Sequence, residues 1–209
     1  TRLLYRYLEQ QTRTTLAWGT LTGVRPTKLA MTKLEQYESM TEAEAVRRTV
    51  GAFRDEFFVS EEKAQLACEI AVREKKLLSK LDYKDGFSLY VGIPFCPSRC
   101  LYCSFTSYPI GIYAEKAKTY IDTLCKELAY VAEQYKHKRL VAIYIGGGTP
   151  TSISHELLAV LLKQIQTVFR LQEPEVADGL VEFTVEAGRP DSITPEKLAV
   201  MKEYDVTRI

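Results

Sequence analysis

The stretch Tyr90-Val91-Gly92-Ile93-Pro94-Phe95-Cys96-Pro97-Ser98-Arg99-Cys100-Leu101-Tyr102-Cys103 decides how this chain is read. It opens inside the alternating run Phe87–Ile93, a predicted β-strand with Leu89, Val91 and Ile93 on one face and Ser88, Tyr90 and Gly92 on the other. Cys96, Cys100 and Cys103 follow at once in a CxxxCxxC spacing. Three thiolates on one short loop can bind three corners of a cubane iron–sulfur cluster. At this cysteine frequency such a match arises by chance in well under about 1% of chains. The competing reading is zinc, but a structural zinc site is closed by four ligands. The loop offers three, and His137 and His155 fall on predicted helices without paired-ligand spacing. A missing fourth ligand leaves one iron open to a small molecule.

Working outward, the same alternation recurs. A helix is predicted over Tyr113–Tyr135, with Ile121, Leu124, Leu128, Val131 and Tyr135 on one side. Leu140–Ile145 is a strand, Ser154 caps a helix to about Phe169, and Leu180–Glu186 is a strand. Thr194 caps a further helix with Pro195 at its first position. The order β-α-β-α-β-α-(β) implies a parallel sheet with right-handed crossovers. Val141, Ile143 and Ile145 oppose Ala142, Tyr144 and Gly146; Val181, Phe183 and Val185 oppose Glu182, Thr184 and Glu186. A sheet covered on both faces reads as continuous apolar runs. Here one face is small or polar, which suits a barrel with a ligand-filled interior. Chemistry in such barrels sits at the carboxyl ends of the strands. Cys96, Gly146–Thr149 and Glu186 all fall there.

Residues 1–83 read as a mainly helical N-terminal domain, and 84–209 as the N-terminal part of the barrel. Leu3, Leu4, Tyr7 and Leu8 suit one helix face, and a turn-prone stretch runs from Gly19 through Gly23 to Pro26. Thr41 with Glu44 forms a capping box that starts a helix to about Phe58. Another helix covers 61–81, with Ala67, Ile70, Ala71, Leu78 and Leu81 on one side and the charge run Arg73–Lys76 as a solvated face. Cys68 and Cys125 sit in helical patterns as buried, inert thiols, and Trp18 is most simply core.

Lys plus Arg number 28 against 27 for Asp plus Glu, so charge gives no argument for nucleic acid or an anionic membrane surface. No apolar run approaches a bilayer span and no signal-peptide pattern opens the chain, which leads to a cytoplasmic expectation. Five cysteines in 209 residues are too few for a disulfide scaffold, so their clustering points to metal or redox chemistry. There is no initiator Met, and Tyr204–Ile209 reads as the start of a strand. Both suggest a fragment of a longer protein, inactive alone.

With these residues in place a resemblance is plain. CxxxCxxC after a first barrel strand resembles the signature of radical S-adenosylmethionine enzymes. Tyr90-x-x-Ile93-Pro94-Phe95-Cys96, then Gly146-Gly147-Gly148-Thr149-Pro150-Thr151, then Glu186, are similar to oxygen-independent coproporphyrinogen III oxidase (dehydrogenase) and its relatives, including the haem chaperones. Trp18–Lys28 and Thr184–Asp191 look like the divergent dehydrogenase-like branch. Gly92 stands where the well-characterised oxidases carry His, and Phe105 where they carry a further Cys. The ending Cys100-Leu101-Tyr102-Cys103-Ser104-Phe105 is closer to the haem-chaperone and dehydrogenase-like branches.

The resemblance implies a 4Fe–4S cluster on Cys96, Cys100 and Cys103, with S-adenosylmethionine on the open iron. It implies that Gly147, Gly148 and Thr149 contact the methionyl part of that cofactor. Without it, Gly146–Gly148 is equally a glycine-rich strand-to-helix turn. Tyr90 is placed by resemblance at the cofactor or cluster and otherwise in the barrel core. Tyr102 is placed against the adenine or as a plug over the cluster. Glu186 accepts from the ribose or amino group, or forms a salt bridge with Arg189. Arg99 either balances charge at the cluster or substrate, or is a solvent-exposed loop residue. Catalytic side chains beyond these are not assigned. The implied reaction sends one electron into S-adenosylmethionine, giving methionine and a 5′-deoxyadenosyl radical. The radical takes hydrogen from a coproporphyrinogen III propionate. Loss of CO2 and an electron, twice, gives protoporphyrinogen IX. The implied partners are a tetrapyrrole substrate, or haem for a chaperone that delivers it without turnover, and an external electron donor such as a flavodoxin or ferredoxin.

Overall fold

The structure is a computed structural model that describes residues 1–22, 25–79, 81 and 85–209. It divides into two compact units, Thr1–Lys80 and Leu81–Ile209. The expected domain boundary at 83/84 lies outside the described residues, as do Gly23 of the turn-prone stretch and Gly23-Val24 of the Trp18–Lys28 segment. Among the described residues no helix is long and apolar enough to cross a membrane.

The first unit is helical: α1 (Arg2–Thr12), α2 (Pro26–Gln36), α3 (Glu42–Phe57) and α4 (Glu61–Leu78). Thr41 and Ser60 cap α3 and α4 by accepting from the backbone N–H of Glu44 and Lys63, each three residues on. Helix α2 is not evident in the sequence, because it buries only Ala30 and Leu34 and so carries a thin apolar stripe. Its core partners include Phe53, Val59, Ala64, Ala67, Cys68 and Ala71. Small residues, Ala64, Ala67, Cys68 and Ala71, form the buried side of α4. Ile70 is therefore exposed rather than inward, and Leu81 falls beyond the helix. Helix α1 forms, but Leu3, Leu4, Tyr7 and Leu8 are all exposed. The side that meets its own unit is that of Tyr5, whose ring stacks on Phe58 at 5.4 Å, with Arg2 and Arg6 over the same ring. Trp18 is half-buried against this core. Lys75 and Lys76 are exposed and pair with Glu38 and Glu42, contacts worth little at a surface.

The second unit carries the parallel sheet. Strands β1 (Phe87–Ile93), β4 (Leu140–Gly147) and β5 (Glu182–Val185) lie in the order β1-β4-β5, all parallel. Helix α5 (Ile110–Gln134) joins the first two, and α6 (His155–Val168) with the short α7 (Pro174–Ala177) joins the next. Helix α8 (Pro195–Glu203) follows β5, and Arg208 then bridges Thr184 in parallel, so the Tyr204–Ile209 run does begin to pair with the sheet. The fold is thus α/β: three parallel strands joined and followed by helices, after a mainly helical segment. Ser154 and Thr194 cap α6 and α8 as expected. His137 lies in the turn after α5 instead of on a helix. Strand β5 (Glu182–Val185) is shorter than expected: Val181 donates to the Val141 carbonyl but is exposed and lies before the strand.

Register explains the two faces. Leu89, Ile143 and Phe183 form one row, and Val91, Ile145 and Val185 the next, all buried under α5, α6 and α8. On the opposite face Tyr90, Tyr144 and Thr184 align across the sheet. A two-residue parallel pair, β2 (Phe95–Cys96) with β3 (Tyr108–Pro109), pinches the cysteine loop at its neck. It was not foreseeable from periodicity, since two residues carry none.

The turns after β4 and β5 are stitched together. Thr151 Oγ1 and Ser192 Oγ are buried 2.6 Å apart, and Lys197 Nζ donates to the carbonyls of Thr151 at 2.6 Å and Ser192 at 2.9 Å. Lys197→Met should leave two carbonyls unpaired and cost about 1–3 kcal/mol. Urea denaturation followed by far-UV circular dichroism checks this; an unchanged midpoint would contradict it.

Candidate functional site

Parallel strands end on the same edge, so whatever follows β1, β4 and β5 must meet there. After β1 comes the cysteine loop, after β4 the glycine turn, and after β5 the segment Glu186–Arg189. All three line one open cavity of about 730 Å³. Its walls include Cys96, Cys100, Cys103, Gly147, Gly148, Thr149, Glu186 and Arg189. Tyr144 and Glu182 rise from its floor.

Two glycines make the approach possible. Gly147 has φ +112°, a left-handed-side conformation that L side chains rarely adopt, and a Cβ there would lie 2.8 Å from the Ile93 carbonyl oxygen. At Gly148 a Cβ would lie 2.9 Å from Cys96 Sγ and 2.7 Å from the Phe95 carbonyl oxygen. The glycine turn is thus laid directly on the base of the cysteine loop. Gly148 N–H donates to Ile93 and Thr149 N–H to Phe95, at 2.8 and 2.7 Å. The buried Thr149 hydroxyl faces Cys96 Sγ at 3.5 Å. This sets Gly148 and Thr149 against the cysteine loop as well as on the cavity wall.

The three thiols are free and half-buried. Among the described residues no group of three His, Cys, Asp or Glu side chains converges on a single-ion position. Three soft thiolates around one cavity are the donor set of a cubane, in which each sulfur takes its own iron. The close packing of Gly148 on Cys96 Sγ, the Thr149 hydroxyl at the same sulfur and the Arg189 guanidinium 3.8 Å from Cys100 Sγ fit that group. By contrast Cys68 is buried, and burial pushes its thiol up to about 11. Cys125 is only half-buried, against expectation, and is raised in the same direction by burial and then by Asp122.

The sequence-derived residues separate here. Glu186 lies on the cavity wall and accepts from Tyr144 Oη at 2.5 Å. Its expected partner Arg189 pairs with Asp191 instead, because the turn Pro190–Ser192 folds that carboxylate back onto the guanidinium. Tyr90 stacks on Tyr144 with centroids 5.9 Å apart, is 63% exposed on the lumen side and lies outside the cavity lining. Tyr102 is 90% exposed and does not line the cavity. Arg99 is exposed and outside the cavity too. Sequence reasoning missed Tyr144 as a partner of Glu186 and Arg189 as a partner of Cys100. Alternation did put Tyr144 on the lumen face, but only register shows that it reaches the next strand.

Residues 90–209 match the family profile described as Radical SAM superfamily. An oxygen-independent coproporphyrinogen-III oxidase-like protein, HemZ, of Bacillus subtilis is 40% identical over 205 residues, covering 97% of this chain and 39% of that protein. The haem chaperone HemW of the same organism is 38% identical over 122 residues, 58% of this chain and 30% of that one. A solved structure of coproporphyrinogen III oxidase (HemN) from Escherichia coli, described as a radical SAM enzyme, aligns at TM-score 0.47 with 22% identity, over 64% of this chain and 30% of that one. The chain thus spans well under half the length of each of these relatives.

The Tyr144 hydroxyl is pushed above the ordinary phenol value, first by its hydrogen bond to Glu186 and then by partial burial and nearby carboxylates. A raised pKa means that this bond contributes below about pH 10 and is lost as pH rises through the shifted value. Tyr144→Phe should remove one late-ionising phenol from the alkaline ultraviolet titration. An unchanged high-pH end of the titration would contradict the assignment.

Proposed function

Because this chain belongs to the radical SAM superfamily, we propose that its cavity holds a 4Fe–4S cluster and S-adenosylmethionine and acts on a tetrapyrrole, by oxidative decarboxylation of coproporphyrinogen III. The observation that carries the proposal is the meeting of three free thiols with the glycine turn and Glu186 around one opening at the strands' carboxyl ends. A relative that covers almost the whole chain, helical segment included, is named oxidase-like, which supports the enzymatic reading.

When bound, the two cofactors supply reductive one-electron cleavage that initiates hydrogen abstraction. Cys96, Cys100 and Cys103 would hold the cluster and leave one iron for the amino acid end of the cofactor. Gly147 and Gly148 let the glycine turn pack on the base of the cysteine loop, where their backbone would meet that end, and Thr149 faces the Cys96 side of the loop. Glu186, oriented by Tyr144, is a carboxylate able to accept from the cofactor's amino or ribose groups. Tyr90 and Tyr144 form an aromatic wall on the lumen side. Tyr102, on the exposed loop, would reach an adenine only by folding inward on binding. Water must be kept from such a site during reaction. The electron would come from an external one-electron donor such as a flavodoxin or ferredoxin. A reducing cytoplasm suits unpaired thiols of this kind.

The second reading is a haem chaperone. It is favoured by the 38% identity of the chaperone over 122 residues, and the cysteine-loop ending Cys103-Ser104-Phe105 is compatible with either reading. An anaerobic assay of the full-length protein with reductant, S-adenosylmethionine and coproporphyrinogen III separates the two. The enzymatic reading predicts 5′-deoxyadenosine together with protoporphyrinogen IX. Stoichiometric haem binding with neither product would overturn it. Cys96→Ala should lose iron and turnover together, and a full complement of iron in that variant would contradict the cluster assignment.

A further inference from the structure

Arg189 lies in the segment after β5, yet it touches the loop after β1. Its Nε and Nη2 donate to the Asp191 carboxylate at 3.1 and 2.7 Å. The same Nη2 lies 3.3 Å from Ser98 Oγ, and Nη1 points at Cys100 Sγ at 3.8 Å. Its backbone carbonyl accepts from Ser192 Oγ at 2.7 Å, and Ser192 belongs to the buried hydroxyl pair with Thr151. The guanidinium is therefore fixed from both ends. Asp191 occupies one edge of the fork and Cys100 faces the other, so the positive edge is turned towards the sulfur.

We propose that Arg189 is a positioning residue that sets the midpoint potential of the cluster, through its guanidinium at the Cys100 sulfur. The inference rests on the cluster reading above. Reduction adds one electron from an external reductant to the cluster, with no bond made or broken in the protein, and makes the site one unit more negative. A cation beside a ligating sulfur stabilises that form more than the oxidised one. Arg189 is only about 30% exposed at its side chain, so water screens it incompletely. Asp191 on the far edge of the guanidinium and Glu182 and Glu186 in the cavity act in the opposite direction, the guanidinium edge being nearer the sulfur than its paired carboxylate, and Arg208 faces Glu182 at 3.5 Å. Charge balance at the cysteine loop thus falls to an arginine 89 residues from its sulfur partner in sequence, and not to the neighbouring Arg99.

The test uses the full-length protein, reconstituted anaerobically, with iron and sulfide measured first. Dithionite titration followed by electron paramagnetic resonance then gives the midpoint potential of wild type, Arg189→Met and Arg189→Lys. The proposal predicts clusters in all three proteins and a more negative midpoint in Arg189→Met. The expected size is about a tenfold lower reduced-to-oxidised ratio at fixed poise, about 59 mV for one electron. Arg189→Lys, which keeps the charge, should recover part of that shift. Equal midpoints in wild type and Arg189→Met overturn the proposal while leaving the cluster reading intact. Loss of iron from both variants also overturns it, since the arginine would then only hold the loop. A wild type without iron and sulfide overturns the cluster reading itself.

Discussion

The parallel register of β1, β4 and β5 is the constraint on which the rest depends. It brings three segments far apart in sequence to one edge, and it turns every second side chain to one face. The buried rows, Leu89–Ile143–Phe183 and Val91–Ile145–Val185, fix that register by burial, since a slip of one residue would put them on the cavity side. Once they are fixed, the cysteine loop, the glycine turn and the Glu186–Arg189 segment have no choice but to meet. The contacts among them then refine the site: Gly148 against Cys96, Tyr144 to Glu186, and Arg189 to Cys100. Beneath them Lys197 and the Thr151–Ser192 pair tie the second and third segments together.

Much of this was legible in the residues. The strand alternation, the caps at Ser154 and Thr194, and the placing of Cys96, Gly147, Gly148, Thr149 and Glu186 at strand ends follow from short-range patterns with strong physical causes. What was hidden depends on contacts between distant segments. Glu186 was open to pairing with Arg189, but Asp191, two residues on from that arginine, captures it. Tyr102 lies between two cysteines and yet faces outward. In the helical unit, α2 was missed because its apolar stripe is two residues wide. The leucines of α1 share one helix face, yet Tyr5 makes the contact within that unit.

The site's chemistry has a consistent electrostatic logic. Its thiols stand beside one hydroxyl and one guanidinium, and its carboxylate is held by a phenol. Donors face the sulfurs and acceptors face the open side. That arrangement suits an electron-rich metal group at the loop and a ligand with amino and hydroxyl donors beyond it.

On the proposed function, Cys96, Cys100 and Cys103 hold a cubane with one iron open to a small molecule. The most direct test is electron paramagnetic resonance of the reduced, reconstituted protein with and without S-adenosylmethionine. The account predicts a reduced cubane signal whose g values shift when S-adenosylmethionine is added, as its amino acid end takes the open iron. A cubane signal identical in both samples, or no cluster signal in a protein loaded with iron and sulfide, would contradict it.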